Sequence, residues 1–96
     1  MDQKVHLKHP QGEKPISMNR DKYDLLKPAV LKYLRAKGKA TFTELSAAIA
    51  KDFRANRTQF KGSLPWHLEW VKLDLEARKM IKRVPNTTPQ EYVIVR

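Results

Sequence analysis

The sequence predicts an α+β fold with three helices, a short first strand and a small antiparallel β-hairpin. Three segments carry apolar residues at helical spacing, each with a recognisable start or stop signal. Near the C-terminal end, residues 80–84 and 91–96 are predicted to be two strands, and the turn-forming segment 85–89 joins them as the tip of a hairpin. A chain of 96 residues is long enough for one domain with a small core.

The N-terminal part of the chain is predicted to differ from the rest. Residues 1–19 are expected to form an extended basic arm, since proline and glycine interrupt them and no helical period runs through them, whereas residues 20–96 form the domain. Residues 4–8 alternate and would add a short strand where a sheet edge is available. His6 and His9 have a spacing that could share a metal, but without a third ligand we expect solvated side chains.

The first helix is predicted at residues 23–37, and Gly38 is suited to end it. Its buried face consists of Tyr23, Leu26, Val30, Tyr33 and Leu34. Pro28 falls among the first four backbone N–H groups, which lack helical partners, if Asp24 caps the helix. If the helix instead starts near Arg20, Pro28 should kink it.

A short strand at residues 39–42 leads into the second helix. Thr41 is predicted to cap that helix, and Glu44 three residues later completes a capping box. The inner face is marked by Phe42, Leu45, Ala48, Ile49 and Phe53. Residues 54–62 then form a basic, polar connection to the third helix.

The third helix is the segment around which the other elements are predicted to pack. Ser63 can cap its start, and Pro65 lies in the first turn, where a missing N–H costs little. The helix has two apolar stripes: one consists of Leu64, Leu68, Val71 and Leu75, and the other of Trp66, Trp70, Leu73 and Ala77. Only one stripe can face the core, so the arm, the hairpin or a second copy of the chain has to cover the other. In the last case, Trp66 and Trp70 are the natural interface anchors of a homodimer.

Composition narrows the class of partner. Twenty Lys and Arg against ten Asp and Glu give a formal net charge of +10, which favours nucleic acid first and an acidic protein or membrane surface second. There is no cysteine, and no apolar run approaches the roughly 18 residues of a membrane span. We therefore expect a cytoplasmic protein without a metal, a cofactor or a small-molecule ligand. Because the sequence has no glycine-rich phosphate loop, nucleophile elbow or carboxylate pair beside a histidine, we do not expect an enzyme.

The predicted order of elements is similar to that of the winged-helix domain, a variant of the helix-turn-helix. More specifically, the chain resembles a small bacterial family of uncharacterised single-domain proteins from about Ile16 onward. The resemblance is carried by ISMNRDKY (16–23), WVKLDLEAR (70–78) and MIKR (80–83). It implies a winged-helix fold and brings no established activity. It also implies a glycine at the position where Lys79 stands.

Fold and charge together favour a winged-helix protein that binds double-stranded DNA mainly through the backbone, with transcriptional regulation as a role. The candidate contacts are cationic, amide and hydroxyl side chains around the third helix and in the hairpin: Lys39, Arg54, Arg57, Lys61, Ser63, His67, Lys82, Arg83, Asn86 and Thr87. The alternative is a winged-helix module for protein interaction or dimerisation that binds no nucleic acid.

The third helix itself fits DNA binding poorly, because its charges cancel. Between Ser63 and Met80, three cationic residues are matched by Glu69, Asp74 and Glu76. These carboxylates would face phosphates unless each is paired. The i,i+4 spacing allows the pairs Lys72–Glu76 and Asp74–Arg78.

Overall fold

The structure, a computed structural model, describes residues 4–9, 12 and 16–95. Residues 1–3 of the predicted arm and Arg96, at the end of the last predicted strand, lie outside this range. In chain order the elements are β1 (Lys4–His6), β2 (Ser17–Asn19), α1 (Arg20–Lys37), β3 (Lys39–Thr41), α2 (Phe42–Ala55), α3 (Leu64–Ala77), β4 (Ile81–Arg83) and β5 (Glu91–Ile94). The predicted α+β class with three helices is confirmed.

The strands form two antiparallel sheets among the described residues. In the larger sheet β5 is central, with β3 on one side and β4 on the other. The C-terminal hairpin of β4 and β5 is thus extended by β3, the short strand predicted before the second helix. The smaller sheet pairs β1 with β2, with Val5 opposite Met18. The predicted strand in the arm is therefore present as β1, and it pairs with β2, which is also part of the arm.

Helix α1 begins earlier than the sequence analysis predicts. Asn19 caps it by accepting a hydrogen bond from the backbone N–H of Asp21 at 2.9 Å, so the helix starts at Arg20 rather than at residue 23. Pro28 consequently lies in the helix interior, where it cannot donate to the carbonyl of Asp24. The helix ends at Gly38 as predicted, and the positive φ of 94° there is a conformation that glycine adopts without steric cost.

The predicted caps of the other two helices are confirmed. Thr41 accepts from the backbone N–H of Glu44 at 3.1 Å, and Glu44 accepts from the backbone N–H of Thr41 at 2.9 Å, which completes the capping box of α2. Ser63 caps α3 by accepting from the backbone N–H of Trp66.

The end of α3 is made without the glycine that the resemblance implies. Lys79 itself adopts the left-handed conformation, with φ of 61°, and the backbone N–H of Met80 donates to the carbonyl of Leu75 at 2.9 Å. The hydrogen bond from Met80 to Leu75 is therefore the same one that would form with glycine at position 79. With lysine there, the left-handed conformation carries a steric cost.

One hydrophobic core joins the helices, the larger sheet and the arm. The stripe of α3 that faces it contains Leu68, Val71 and Leu75, all fully buried, with Leu64 half-buried at its start. Leu7 and Met18 from the arm belong to the same core. The arm is therefore packed against the helices as part of the fold.

Candidate nucleic-acid interface

The acidic side chains of α3 are occupied within the protein, and Asp74 is the clearest case. Its side chain is fully buried, and its carboxylate accepts hydrogen bonds from three different residues. The backbone N–H of Lys8 donates at 2.8 Å, the hydroxyl of Tyr23 at 2.6 Å and Nε of Arg78 at 2.9 Å. The predicted pair of Asp74 with Arg78 is confirmed, and the same carboxylate also holds the arm and α1 against α3.

The other two carboxylates of α3 pair differently from the prediction. Lys72 is 4% exposed and donates to Glu69 at 2.9 Å and to the hydroxyl of Tyr92 at 3.0 Å. Glu76 is paired with Arg83 of β4 at 2.7 Å. The predicted pair Lys72–Glu76 is wrong, because the lysine turns into the interior, where it lies 4.8 Å from the ring centroid of Tyr92.

These contacts shift the pKa values of the buried partners. Burial by itself lowers the pKa of Lys72, but the hydrogen bonds with Tyr92 and Glu69 outweigh it, and the pKa of Lys72 is raised. The pKa of Tyr23 is raised well above its usual range, first by burial and then by the hydrogen bond to Asp74. Both groups therefore keep their protons at neutral pH, so these hydrogen bonds do not depend on titration there.

The predicted cations of the α2–α3 connection remain available to a partner. Arg54, Arg57 and Lys61 are exposed, and none of them forms an ion pair within the described part of the chain. The nearby carboxylate of Asp52 accepts a hydrogen bond from the amide of Asn56 at 3.2 Å. We name Arg54, Arg57 and Lys61 the connection cations.

Two predicted contacts at the start of α3 are used inside the protein. The hydroxyl of Ser63 caps the helix. His67 Nδ1 lies 2.6 Å from the carbonyl of Ser63, which can only accept, so this nitrogen carries the proton. Its Nε2 lies 3.5 Å from Nζ of Lys22 and accepts from it. Neither side chain is oriented as a reader of base edges.

The hairpin places its predicted contacts in different surroundings. Lys39 and Lys82 both lie opposite Val93, so the two lysines share the outer face of the sheet. Lys39 is also 3.8 Å from Glu91. Asn86 is exposed in the turn, with φ of 62°. Arg83 lies on the other face, paired with α3.

Thr87 takes part in the hairpin turn rather than facing solvent freely. Its hydroxyl donates to the carbonyl of Val84 at 3.0 Å and accepts from the backbone N–H of Glu91 at 2.9 Å. Among the predicted contacts in the larger sheet and the hairpin turn, Lys39, Lys82 and Asn86 therefore keep the most accessible side chains.

The sequence analysis did not select several cations that the fold brings near these sites. Lys32, Arg35 and Lys37 are exposed on the C-terminal half of α1. Arg35 lines a cleft of about 490 Å³ together with Gly38 and Val93, and it thereby adjoins the sheet. The regular basic spacing from Lys32 to Lys39 is visible in the sequence and could have identified this region. We name Arg35, Lys39 and Lys82 the sheet cations.

The second apolar stripe of α3 is only partly covered. Trp70 is half-buried and makes an edge-on contact with His9 of the arm, with ring centroids 6.2 Å apart. Trp66 is 51% exposed, more than any other large apolar side chain in the described part of the chain. The arm therefore covers Trp70, one of the alternatives that the sequence left open, and leaves Trp66 accessible.

The three helices and the β3–β5–β4 sheet form an α+β fold whose element order agrees with the predicted winged-helix arrangement, and the exposed connection cations precede α3. The chain belongs to a family described as a family of unknown function, DUF6958, whose match spans residues 4–92. No curated protein and no solved structure matches it significantly. No helix in the described part of the chain is long and apolar enough to cross a membrane.

Proposed function

We propose that this protein binds nucleic acid, with double-stranded DNA as the reference ligand, through phosphate contacts and with weak sequence preference. The observation that carries the proposal is the separation of charge around α3. Its carboxylates are neutralised by partners inside the fold, whereas the connection cations have no acidic partner in the described chain. The chain has a formal net charge of +10, and the exposed connection cations are available to contact phosphates.

The expected weakness of sequence preference follows from the exposed side of α3. Direct readout in the major groove requires Arg, Lys, Asn or Gln side chains aimed at base edges. The accessible start of α3 instead presents Pro65, Trp66 and Glu69, while Ser63 and His67 are engaged within the protein. The proposal is therefore a backbone binder rather than a sequence-specific transcriptional regulator.

The sheet cations supply a second group of phosphate contacts. Lys39 and Lys82 lie on one face across Val93, and Arg35 lies at the adjoining end of α1. Flexible lysine and arginine side chains on a rigid sheet suit contacts that position a backbone without reading its sequence.

The test is fluorescence anisotropy of a labelled mixed-sequence duplex, titrated at several salt concentrations. Each phosphate contact contributes about 0.9 to the slope of log affinity against log salt. The triple variant R54Q/R57Q/K61Q should therefore bind less tightly and lose about 2 to 3 from the slope. A matched variant, K4Q/K8Q/K27Q, makes the same charge change in the arm and α1 and should retain most of the slope.

Two results would contradict the proposal. Absence of duplex binding at low salt, from a chain this basic, would exclude double-stranded DNA as the ligand. Equal losses in the two triple variants would show that only net charge matters and that the connection cations are not the interface.

A second candidate function, protein interaction or dimerisation, is favoured by the exposure of Trp66. A twofold dimer through α3 would bury this side chain against its copy. Sedimentation equilibrium of the wild type and of Trp66→Leu distinguishes it: this candidate requires a wild-type dimer that the substitution dissociates.

A further inference from the structure

Aromatic side chains form a continuous row around the start of α3. The ring centroids of Trp66 and Trp70 are 6.4 Å apart, those of Trp66 and His67 4.9 Å, and those of His67 and Phe60 5.2 Å. Phe60 in turn lies 6.2 Å from Phe53. Because Trp66 is half-exposed and the others are more buried, the row is anchored in the fold and opens to solvent at Trp66.

A cleft of about 470 Å³ adjoins this row between the start of α1 and the α2–α3 connection. Leu25 and Phe60 form its apolar walls, and Lys22, Gln59 and Lys61 contribute polar groups. Asn19 and Asp21, in the capped first turn of α1, also line it. Its size lies within the range of ordinary ligand pockets.

Lys22 is held where it serves both the cleft and the aromatic row. Its Nζ lies 5.6 Å from the ring centroid of Phe60 and 3.5 Å from Nε2 of His67. Gly62 permits this arrangement: its φ is 93°, and a Cβ at this position would lie 3.2 Å from the His67 ring and 3.5 Å from Nζ of Lys22. Glycine suits residue 62 because its φ is positive and because a Cβ there would crowd the His67 ring, whereas the distance to Lys22 would be an ordinary contact.

We propose that this surface binds unpaired nucleobases of a single strand, with one base stacked on Trp66, a neighbouring base against the Phe60 wall, and phosphates beside Lys22 and Lys61. The proposal rests on the proposed function and specifies its ligand further. Stacking on an exposed aromatic ring accepts any base, and flanking cations hold the backbone, which is the combination that single-strand binding requires. Lys22 and Lys61 line the cleft and favour a polyanionic strand over an uncharged apolar protein segment, because they attract its phosphates.

The experiment compares three labelled ligands of equal length at one salt concentration: oligothymidylate, the corresponding duplex, and an abasic deoxyribose-phosphate chain without bases. Wild-type protein should bind oligothymidylate more tightly than the abasic chain. Trp66→Leu should weaken oligothymidylate binding by roughly 5- to 150-fold and leave abasic binding unchanged. An oligouridylate arm shows whether the strand preferred is RNA or DNA.

Two variants separate stacking from other effects. Trp66→Phe keeps an aromatic face and should retain most of the affinity, whereas leucine keeps only apolar area. Val95→Ala is the control: it shortens another exposed apolar side chain, which is 37% exposed, and should leave the affinity for all three ligands unchanged. Thermal unfolding of each variant verifies the fold, which Trp66→Leu should preserve because the side chain is 51% exposed.

The outcomes also separate this inference from the proposed function. Equal binding of oligothymidylate and the abasic chain, unaffected by Trp66→Leu, would refute base stacking and leave phosphate binding intact. Failure to bind any of the polyanions would refute both. Dimer dissociation by Trp66→Leu without a change in oligothymidylate binding would assign Trp66 to a protein interface and also refute the inference.

Discussion

Removal of the Asp74 carboxylate should be the most destabilising single change in the polar interior. The carboxylate is fully buried and joins three segments, since it accepts from Lys8, Tyr23 and Arg78. Asp74→Ala leaves the Tyr23 hydroxyl and the Lys8 N–H without an acceptor, at about 1 to 3 kcal/mol each. The loss of the Arg78 pair adds less, because that side chain is 34% exposed and can be hydrated.

These contributions give an expected loss of about 3 to 5 kcal/mol in the free energy of unfolding. A chain of 96 residues has a total stability of roughly 5 to 14 kcal/mol, so the variant should be marginally folded. Urea unfolding followed by tryptophan fluorescence measures the loss. A double-mutant cycle with Tyr23→Phe isolates the shared hydrogen bond, and we expect a coupling of about 1 kcal/mol or more.

The reasoning also predicts where the effect appears first. Native-state hydrogen exchange should show that the Lys8 amide loses protection in Asp74→Ala at conditions where amides of the α3 core remain protected. A loss below about 1 kcal/mol for Asp74→Ala, together with additive effects in the cycle, would refute the view that this carboxylate holds the arm and α1 to α3.

Two further predictions concern the end of α3 and the response to alkaline pH. Lys79→Gly should raise the free energy of unfolding by about 0.5 to 1 kcal/mol, since glycine removes the steric cost of the φ of 61°; a decrease in urea unfolding would contradict this. The pKa of Tyr23 is raised in the folded state, so as pH rises this tyrosine ionises first in the unfolded chain. The stabilisation that Tyr23 contributes is therefore fully present below its usual pKa of 10.0 and is lost as pH rises above that value. Stability measured from pH 9 to 12 should therefore fall by up to about 1.4 kcal/mol per pH unit from this group, and Tyr23→Phe should show a shallower decline; identical slopes would contradict the assignment.

Local signals in the sequence were sufficient for most helix and strand positions. The capping box at Thr41 and Glu44, the cap at Ser63 and the stop at Gly38 each depend on residues within one turn, and all are confirmed. The start of α1 near Arg20 was one of two alternatives, but its cap was not recognised because Asn19 was assigned to the arm, although asparagine is among the strongest helix caps.

Long-range choices could not be predicted in the same way. Lys72 has carboxylates at both i−3 and i+4, and the decision for Glu69 depends on Tyr92, which is distant in sequence. Glu76 likewise pairs with a residue of the hairpin. The same holds for the candidate site, because the cleft beside Phe60 is formed by the start of α1 and the α2–α3 connection, which are distant in sequence.

The attachment of the arm has a consequence for which substitutions it tolerates. Leu7 and Lys8 both donate main-chain N–H groups, to the carbonyl of Ile16 at 2.9 Å and to Asp74 at 2.8 Å. Every amino acid except proline offers that donor, and the side chain at position 8 is exposed. Position 8 can therefore vary without loss of the hydrogen bond to Asp74. A shift of register by one residue, in contrast, would exchange a leucine for a lysine in the core. The arm is thus anchored by its alignment along the fold, and the identity of its surface residues can change without loosening it.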